Sequence, residues 1–209
     1  MDHCGLHHSA PSSRVSSTAA GTKASEAAEA RATEAAIPTF SSQAAAASEQ
    51  SSPYPGYFEH QELGRCGLHA LNNALGFAFL TAQDMTQACD IYLEEMEFEG
   101  SMENRSDHET ETGWYSEAVM AQALRVKLNI YKLDLDNPLQ PKKKDLMRIF
   151  EDDVMGVVVN KSQEHWYAIK LLGQQIWRLD STERPKTMTF QTFLECIREH
   201  KNAFLVRCN

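Results

Sequence analysis

Apolar positions along this chain follow helical spacing up to about residue 127 and strand-like patterns after it. Leu68, Leu71 and Leu75 recur every three or four residues, with Gly64 before them and Gly76 after them, and predict a helix over Cys66–Leu75. Thr81 and Asp84 have the form of a capping box, and Met85, Ala88, Tyr92 and Met96 then trace one apolar stripe of a second helix. Ser116 opens a third, carrying Val119, Met120, Ala123 and Leu124. Beyond it, Leu128–Leu133 reads as a strand, Lys142–Phe150 as a helix and Val157–Asn160 as a short buried strand. His165–Leu172 and Gln175–Asp180 flank Gly173-Gln174 as the strands of a hairpin flank their turn. A helix near Phe190–Glu199 leads to a last strand, Phe204–Val206. Helices first and an antiparallel sheet later predict the α+β class, with N-terminal helices packed on an antiparallel β-sheet.

Residues 1–52 lack any such pattern. Ala and Ser fill 25 of these 52 positions, and Phe40 is the only aromatic residue. A segment of this kind cannot bury enough apolar surface to offset its ordering entropy, so a disordered tail is expected, with transient helix around Ala24–Ala36. Pro53 and Pro55 mark the boundary with a folded domain over 53–209. The acids Glu26, Glu29, Glu34 and Glu49 argue against a transit peptide, and the first residues lack the basic and apolar regions of a signal peptide. A cytoplasmic or nuclear location follows as the expectation. The five cysteines form no close pairs and no C-x-x-C, which argues against a disulfide framework and a structural zinc site. No apolar stretch approaches the roughly 20 residues needed to cross a membrane. The formal charge of −9 disfavours nucleic acid as a partner and favours one with a basic face. Eight acids lie between Glu94 and Glu111, with Arg105 the lone Lys or Arg among them. They form either a solvated arm or a surface that docks a basic partner.

Cys66 stands where a loop becomes a helix. Backbone N–H groups and the helix dipole stabilise a thiolate at such a place. Position alone also fits a buried structural cysteine, as is expected of Cys89 inside the second helix. A nucleophilic cysteine needs a base. Of eight histidines, three lie in the tail, His60 and His108 in polar loops, and His200 at a helix end, which leaves His69 and His165. His69 lies on nearly the same helical face as Cys66 and reads as a hydrogen-bonded helix residue. His165 begins an aromatic-rich strand that would hold it rigidly. If Gly173-Gln174 forms a two- or four-residue turn, Leu172 faces Gln175, and Asp180 becomes the diagonal neighbour of His165 on one face of the hairpin. A three-residue loop would break this register. An acid there can hold the imidazole by its far nitrogen, giving a Cys–His–Asp set. Acyl transfer also needs oxyanion donors. The Cys66 backbone N–H is one candidate and the Gln61 amide another, although Gln61 taken alone also reads as a solvated loop residue.

The stretch from Tyr57 to Asn73 contains Gln61, Cys66 five residues later, His69, and then Leu71-Asn72-Asn73. It resembles the opening of the Josephin domain, a papain-like family of deubiquitinating cysteine proteases. Thr112-Gly113-Trp114-Tyr115-Ser116 is similar to that domain's middle block. Glu164-His165-Trp166-Tyr167 and Trp177-Arg178-Leu179-Asp180-Ser181 are similar to its histidine and Asn/Asp strands. The resemblance covers about residues 57–207. It implies a papain-like fold, and hydrolysis of the bond after the C-terminal glycine of ubiquitin. It makes Cys66 the nucleophile, His165 the general base and acid, Asp180 the residue orienting His165, and Gln61 the oxyanion donor. It implies ubiquitin and ubiquitinated proteins as partners, a monomer, and no metal or organic cofactor. Two alternatives remain. One is a ubiquitin-binding module with weak catalysis, and the other a papain-like hydrolase of another ubiquitin-like modifier. In the tail, Met1-Asp2-His3 could chelate copper or nickel at a free terminus, but no physiological metal site is expected there.

Overall fold

The structure, a computed structural model, describes residues 53–200 and 202–209. The Ala/Ser-rich segment 1–52 and the Met1-Asp2-His3 motif lie outside the described residues. The expected first helix is present as α1 (Cys66–Leu75), and Gly76 ends it in the left-handed conformation, φ 90°, with its N–H on the Asn72 carbonyl. The second helix, α2 (Ala82–Phe98), starts at a complete capping box between Thr81 and Asp84 and buries Met85, Ala88 and Cys89. Ser116 caps α3 (Glu117–Lys127) by accepting the Val119 N–H.

Strands β1 (Tyr131–Leu133), β2 (Val154–Lys161), β3 (His165–Leu172), β4 (Gln175–Leu179), β5 (Lys186–Met188) and β6 (Asn202–Cys208) form one antiparallel sheet in the order β1-β6-β2-β3-β4-β5. Both faces are covered. Against one face α1, α2 and α3 bury Leu71, Met85, Met120 and Leu124 with Val158, Trp166 and Leu179. Against the other, α4 (Lys143–Leu146) with the 3-10 turn Met147–Phe150, and α5 (Phe190–His200), bury Leu146, Ile149, Phe193 and Ile197 with Val157, Val159 and Ile169. The unbroken Val157–Val159 run is what a strand buried on both sides requires.

Several boundaries differ from the reading of the sequence. The strand expected over Leu128–Leu133 is reduced to Tyr131–Leu133. The third helix runs on to Lys127, and Asn129 then turns through φ 53°, so Leu128–Ile130 is a connection. The helix expected over Lys142–Phe150 is α-helical only to Leu146 and tightens to 3-10 after it. β5 was not expected, and its Lys-Thr-Met sequence on the sheet edge carries almost no alternation.

One half-buried cation fixes the end of α1 away from Cys66. Lys170 of β3 donates to the Ala74 and Leu75 carbonyls at 2.6 and 3.2 Å, and to the Met155 carbonyl of β2 at 2.7 Å. An ammonium at a helix C-terminus satisfies its free carbonyls and complements its dipole. Burial pulls the Lys170 amine down to about 8. The acidic segment is an arm formed by the end of α2 and the chain returning from it. Arg125 of α3 holds Glu95, His108 holds Glu103, and Arg105 holds Glu109. Among the described residues, no helix is long and apolar enough to cross a membrane.

Candidate active site

The hairpin register decides whether the expected residues meet. Gly173 turns through φ 61°, and Leu172 pairs with Gln175, Ile169 with Arg178 and Ala168 with Leu179, as the two- or four-residue turn requires. Continued past the ladder, this register makes Asp180 the diagonal neighbour of His165. His165 Nε2 lies 2.9 Å from Asp180 Oδ1. Cys66, the first residue of α1, also acts on the same ring. The bond to Asp180, then the bond to Cys66, push the imidazole up to about 9 against the opposing effect of burial.

Asp180 is 4% exposed. Its Oδ1 also accepts Thr182 N–H at 3.2 Å and Thr182 Oγ1–H at 2.7 Å, and its Oδ2 accepts an Arg178 Nη2–H at 2.8 Å. Burial alone would raise this carboxyl, but the bonds from His165, Thr182 and Arg178 outweigh it and hold the group well below the usual carboxylate range. His165 of β3 thus interacts with both Cys66 of α1 and Asp180 just past β4. This is the arrangement in which a thiol can lose its proton to an oriented imidazole.

Both ring nitrogens of His69 are engaged by other groups. Its Nδ1 lies 2.8 Å from Glu59 Oε1, and its Nε2 accepts the Glu62 N–H at 3.1 Å. The same Glu59 carboxylate accepts from Asn72 Nδ2 at 2.9 Å and from the Tyr57 hydroxyl. Asn73 exchanges two bonds with the Glu59 backbone, at 2.8 and 3.2 Å. His69, Asn72 and Asn73 thus strap the loop 57–62 onto α1.

That loop carries Gln61. Its N–H donates to the Ser181 carbonyl at 2.9 Å, and Ser181 Oγ donates to its Oε1 at 3.2 Å, so it is anchored to the chain beside Asp180. Its Nε2 donates to the Leu63 carbonyl at 2.6 Å, and an amide nitrogen has a second N–H to give. The Cys66 N–H, expected to be free for an oxyanion, instead donates to the Gly64 carbonyl at 2.8 Å. The reason is the tight turn before α1, in which Leu63 adopts φ 57° and the helix is entered with no side-chain cap. Both expected donors are therefore turned onto successive carbonyls of the 63–64 turn. The middle block flanks the same turn. A Cβ on Gly64 would lie 2.4 Å from the Thr112 carbonyl oxygen, and one on Gly113, φ 89°, would lie 2.5 Å from Arg65 Cγ. Only glycine lets the two segments pass so closely beside Cys66.

The Josephin family model matches residues 61–207, a span that includes Gln61, Cys66, His165 and Asp180. This chain belongs to the Josephin family. Among curated proteins, the Josephin chain is similar to two named ataxin-3 homolog. It is 27% identical to the one from Caenorhabditis elegans over 143 residues, covering 66% of this chain and 43% of that protein. It is 25% identical to the one from Caenorhabditis briggsae over 139 residues, covering 64% and 41%. The match thus spans less than half the length of these relatives. Sequence reasoning did not assign site roles to Glu59, Arg178, Ser181 and Thr182. The i, i+2 spacing of Arg178, Asp180 and Thr182, at and just past the end of β4, was the available signal for two of them.

Proposed function

We propose that this protein is a cysteine deubiquitinase that hydrolyses the peptide or isopeptide bond after the C-terminal glycine of ubiquitin. The observation that carries this reading is that His165, bonded to Asp180, also interacts with Cys66 at the first residue of α1. The extended end of ubiquitin lies in a narrow groove between α1 and the sheet, where closely approaching walls admit only glycine backbone. The Cys66 thiolate adds to the terminal glycine carbonyl, and the carbonyl electron pair moves onto oxygen. The second N–H of Gln61 and the Cys66 N–H stabilise that oxyanion, displacing the Gly64 carbonyl from the latter. His165 gives its proton to the departing lysine amine, and the C–N bond breaks, leaving a thioester. Water then loses a proton to the neutral His165 ring and adds to the thioester, and collapse expels the Cys66 thiolate. Asp180 keeps the ring's tautomer and orientation throughout.

Turnover of fluorophore conjugates of ubiquitin and of other ubiquitin-like modifiers tests the substrate assignment. Cleavage of the ubiquitin conjugate ahead of the others is expected. Preference for another modifier would replace the substrate and keep the chemistry, and binding of ubiquitin without turnover would favour a binding module.

A further inference from the structure

The Asp180 carboxylate does not serve His165 alone. One oxygen accepts from His165 and the other from Arg178, at 2.9 and 2.8 Å. Arg178 leaves the same face of the hairpin two residues before Asp180. Its guanidinium carbon lies 4.5 Å from the centroid of the Tyr167 ring, and the Tyr167 hydroxyl is tied to Cys196 Sγ of α5 at 2.7 Å. Aromatic stacking and an ion pair thus hold the cation in place from two sides.

The other ionisable groups around this centre are few. Cys66 faces His165 from α1. Lys161 of β2 pairs with His165 in the sheet, and Lys186 of β5 pairs with Arg178 but is engaged by Glu183. From α5 come Cys196, Glu199 and His200, and burial lowers the last, which favours its neutral form. Among the described residues, Arg178 is the permanent cation in direct contact with Asp180.

We propose that Arg178 is a positioning residue of this reaction: by sharing Asp180 with His165 it loosens the carboxylate's hold on the imidazolium, so that the ring can release its proton when it must act as a base. The proposal rests on the reading of Cys66, His165 and Asp180 given above. The two half-reactions make opposite demands on His165. Acylation uses the ring protonated, as the partner of the thiolate and the donor to the leaving amine. Deacylation uses it neutral, to take a proton from water. In the thioester Cys66 carries no charge, and Asp180 is then the anion bonded to the ring. Undivided, that anion would keep the ring protonated and the base scarce near neutral pH. A second cation on the far oxygen of the same carboxylate opposes this by about one pH unit when screened as a partly exposed group is.

The test is an NMR titration of the His165 imidazole in the full-length Cys66→Ala protein, whose uncharged residue 66 imitates the thioester. Arg178→Gln, which can still donate to Asp180, and Arg178→Met, which keeps the stem on Tyr167, are each added to that background. Either folded variant should titrate about one pH unit higher than the Cys66→Ala parent. With Cys66 restored, the acid limb of kcat and the alkaline limb of kcat/KM should both move up, because a lost cation acts in one direction on both. A His165 titration that stays put or moves down in folded protein overturns the proposal and leaves Arg178 a structural residue, with a melting temperature its substitution lowers and a pH profile it does not. The titration needs no substrate. If the wild type fails to cleave ubiquitin conjugates, the functional reading falls while the titration still judges Arg178.

Discussion

Replacing Asp180 with asparagine separates the charge of this residue from its geometry. Three donors converge on Oδ1: His165 Nε2, Thr182 N–H and Thr182 Oγ1–H. An amide in this position places its oxygen there and turns its NH2 towards Arg178, donor against donor. The Thr182 bonds therefore keep the ring accepted rather than donated to, and preserve its tautomer. An asparagine that donated to the ring would fix the wrong tautomer and cost about 10⁴ in rate. What is lost is charge. His165 is pushed from 6.5 to about 9, with Asp180 the largest cause and Cys66 the next. That difference corresponds to on the order of 3 kcal/mol favouring the imidazolium, shared between the two partners. Asp180→Asn should thus keep appreciable activity, with the alkaline limb of kcat/KM lower by about 1–2 pH units. Asp180→Ala removes acceptor and orientation and should be slower than Asn at every pH. Stability carries a matching signature. Because the His165 value is raised on folding, its contribution is complete below pH 6.5 and is lost as the pH rises through about 9. Asp180→Asn should flatten that dependence. It should also lower the melting temperature by about 4–8 °C near neutral pH, from about 2 kcal/mol for stranding a half-exposed Arg178. The assay is a pH–rate series on a ubiquitin–fluorophore conjugate with wild type, Asn and Ala proteins, alongside melting curves at each pH. Equal impairment of Asn and Ala, with neither moving the alkaline limb, would mean that Asp180 is not the electrostatic partner of His165.

Gln61→Ala should lower kcat by about 10²–10³ while changing KM little, since an oxyanion donor acts mainly in the transition state; an unchanged kcat would return Gln61 to a loop residue held by Ser181. Gly113→Ala forces a side chain into φ 89° and to 2.5 Å from Arg65 Cγ, and should cost about 1–3 kcal/mol in thermal melts together with a fall in kcat; full stability and rate would show that the two turns need not pass so closely. A chain lacking residues 1–52 should melt within a few degrees of the full chain and keep its turnover, as their composition implies; a large loss of melting temperature would mean that this segment packs on the domain.

The parts of the site legible in the sequence are those set by periodicity and turn chemistry. Leucine spacing between Gly64 and Gly76 delimited α1 and put Cys66 at its first residue. The Gly173-Gln174 turn set the register, and the register brought Asp180 to His165. What escaped depends on contacts distant in the chain or on backbone detail. β5 is three residues on a sheet edge, too short and polar for alternation to register. The turning of the Cys66 N–H and the Gln61 amide onto the Gly64 and Leu63 carbonyls follows from the left-handed backbone at Leu63, a residue type that gives no warning of it. Arg178 was assigned no role from the sequence, and its contact with Tyr167 and its share of Asp180 bring it into the site.

The most direct test of the account is hydrolysis of a ubiquitin–fluorophore conjugate by the wild-type chain and by Cys66→Ala, with labelling by a ubiquitin bearing a C-terminal electrophile read on the same samples. The account predicts turnover and one covalent adduct on Cys66 in the wild type, and neither in a folded Cys66→Ala protein, while Cys89→Ala and Cys196→Ala still turn over. Turnover or labelling that survives Cys66→Ala would contradict it.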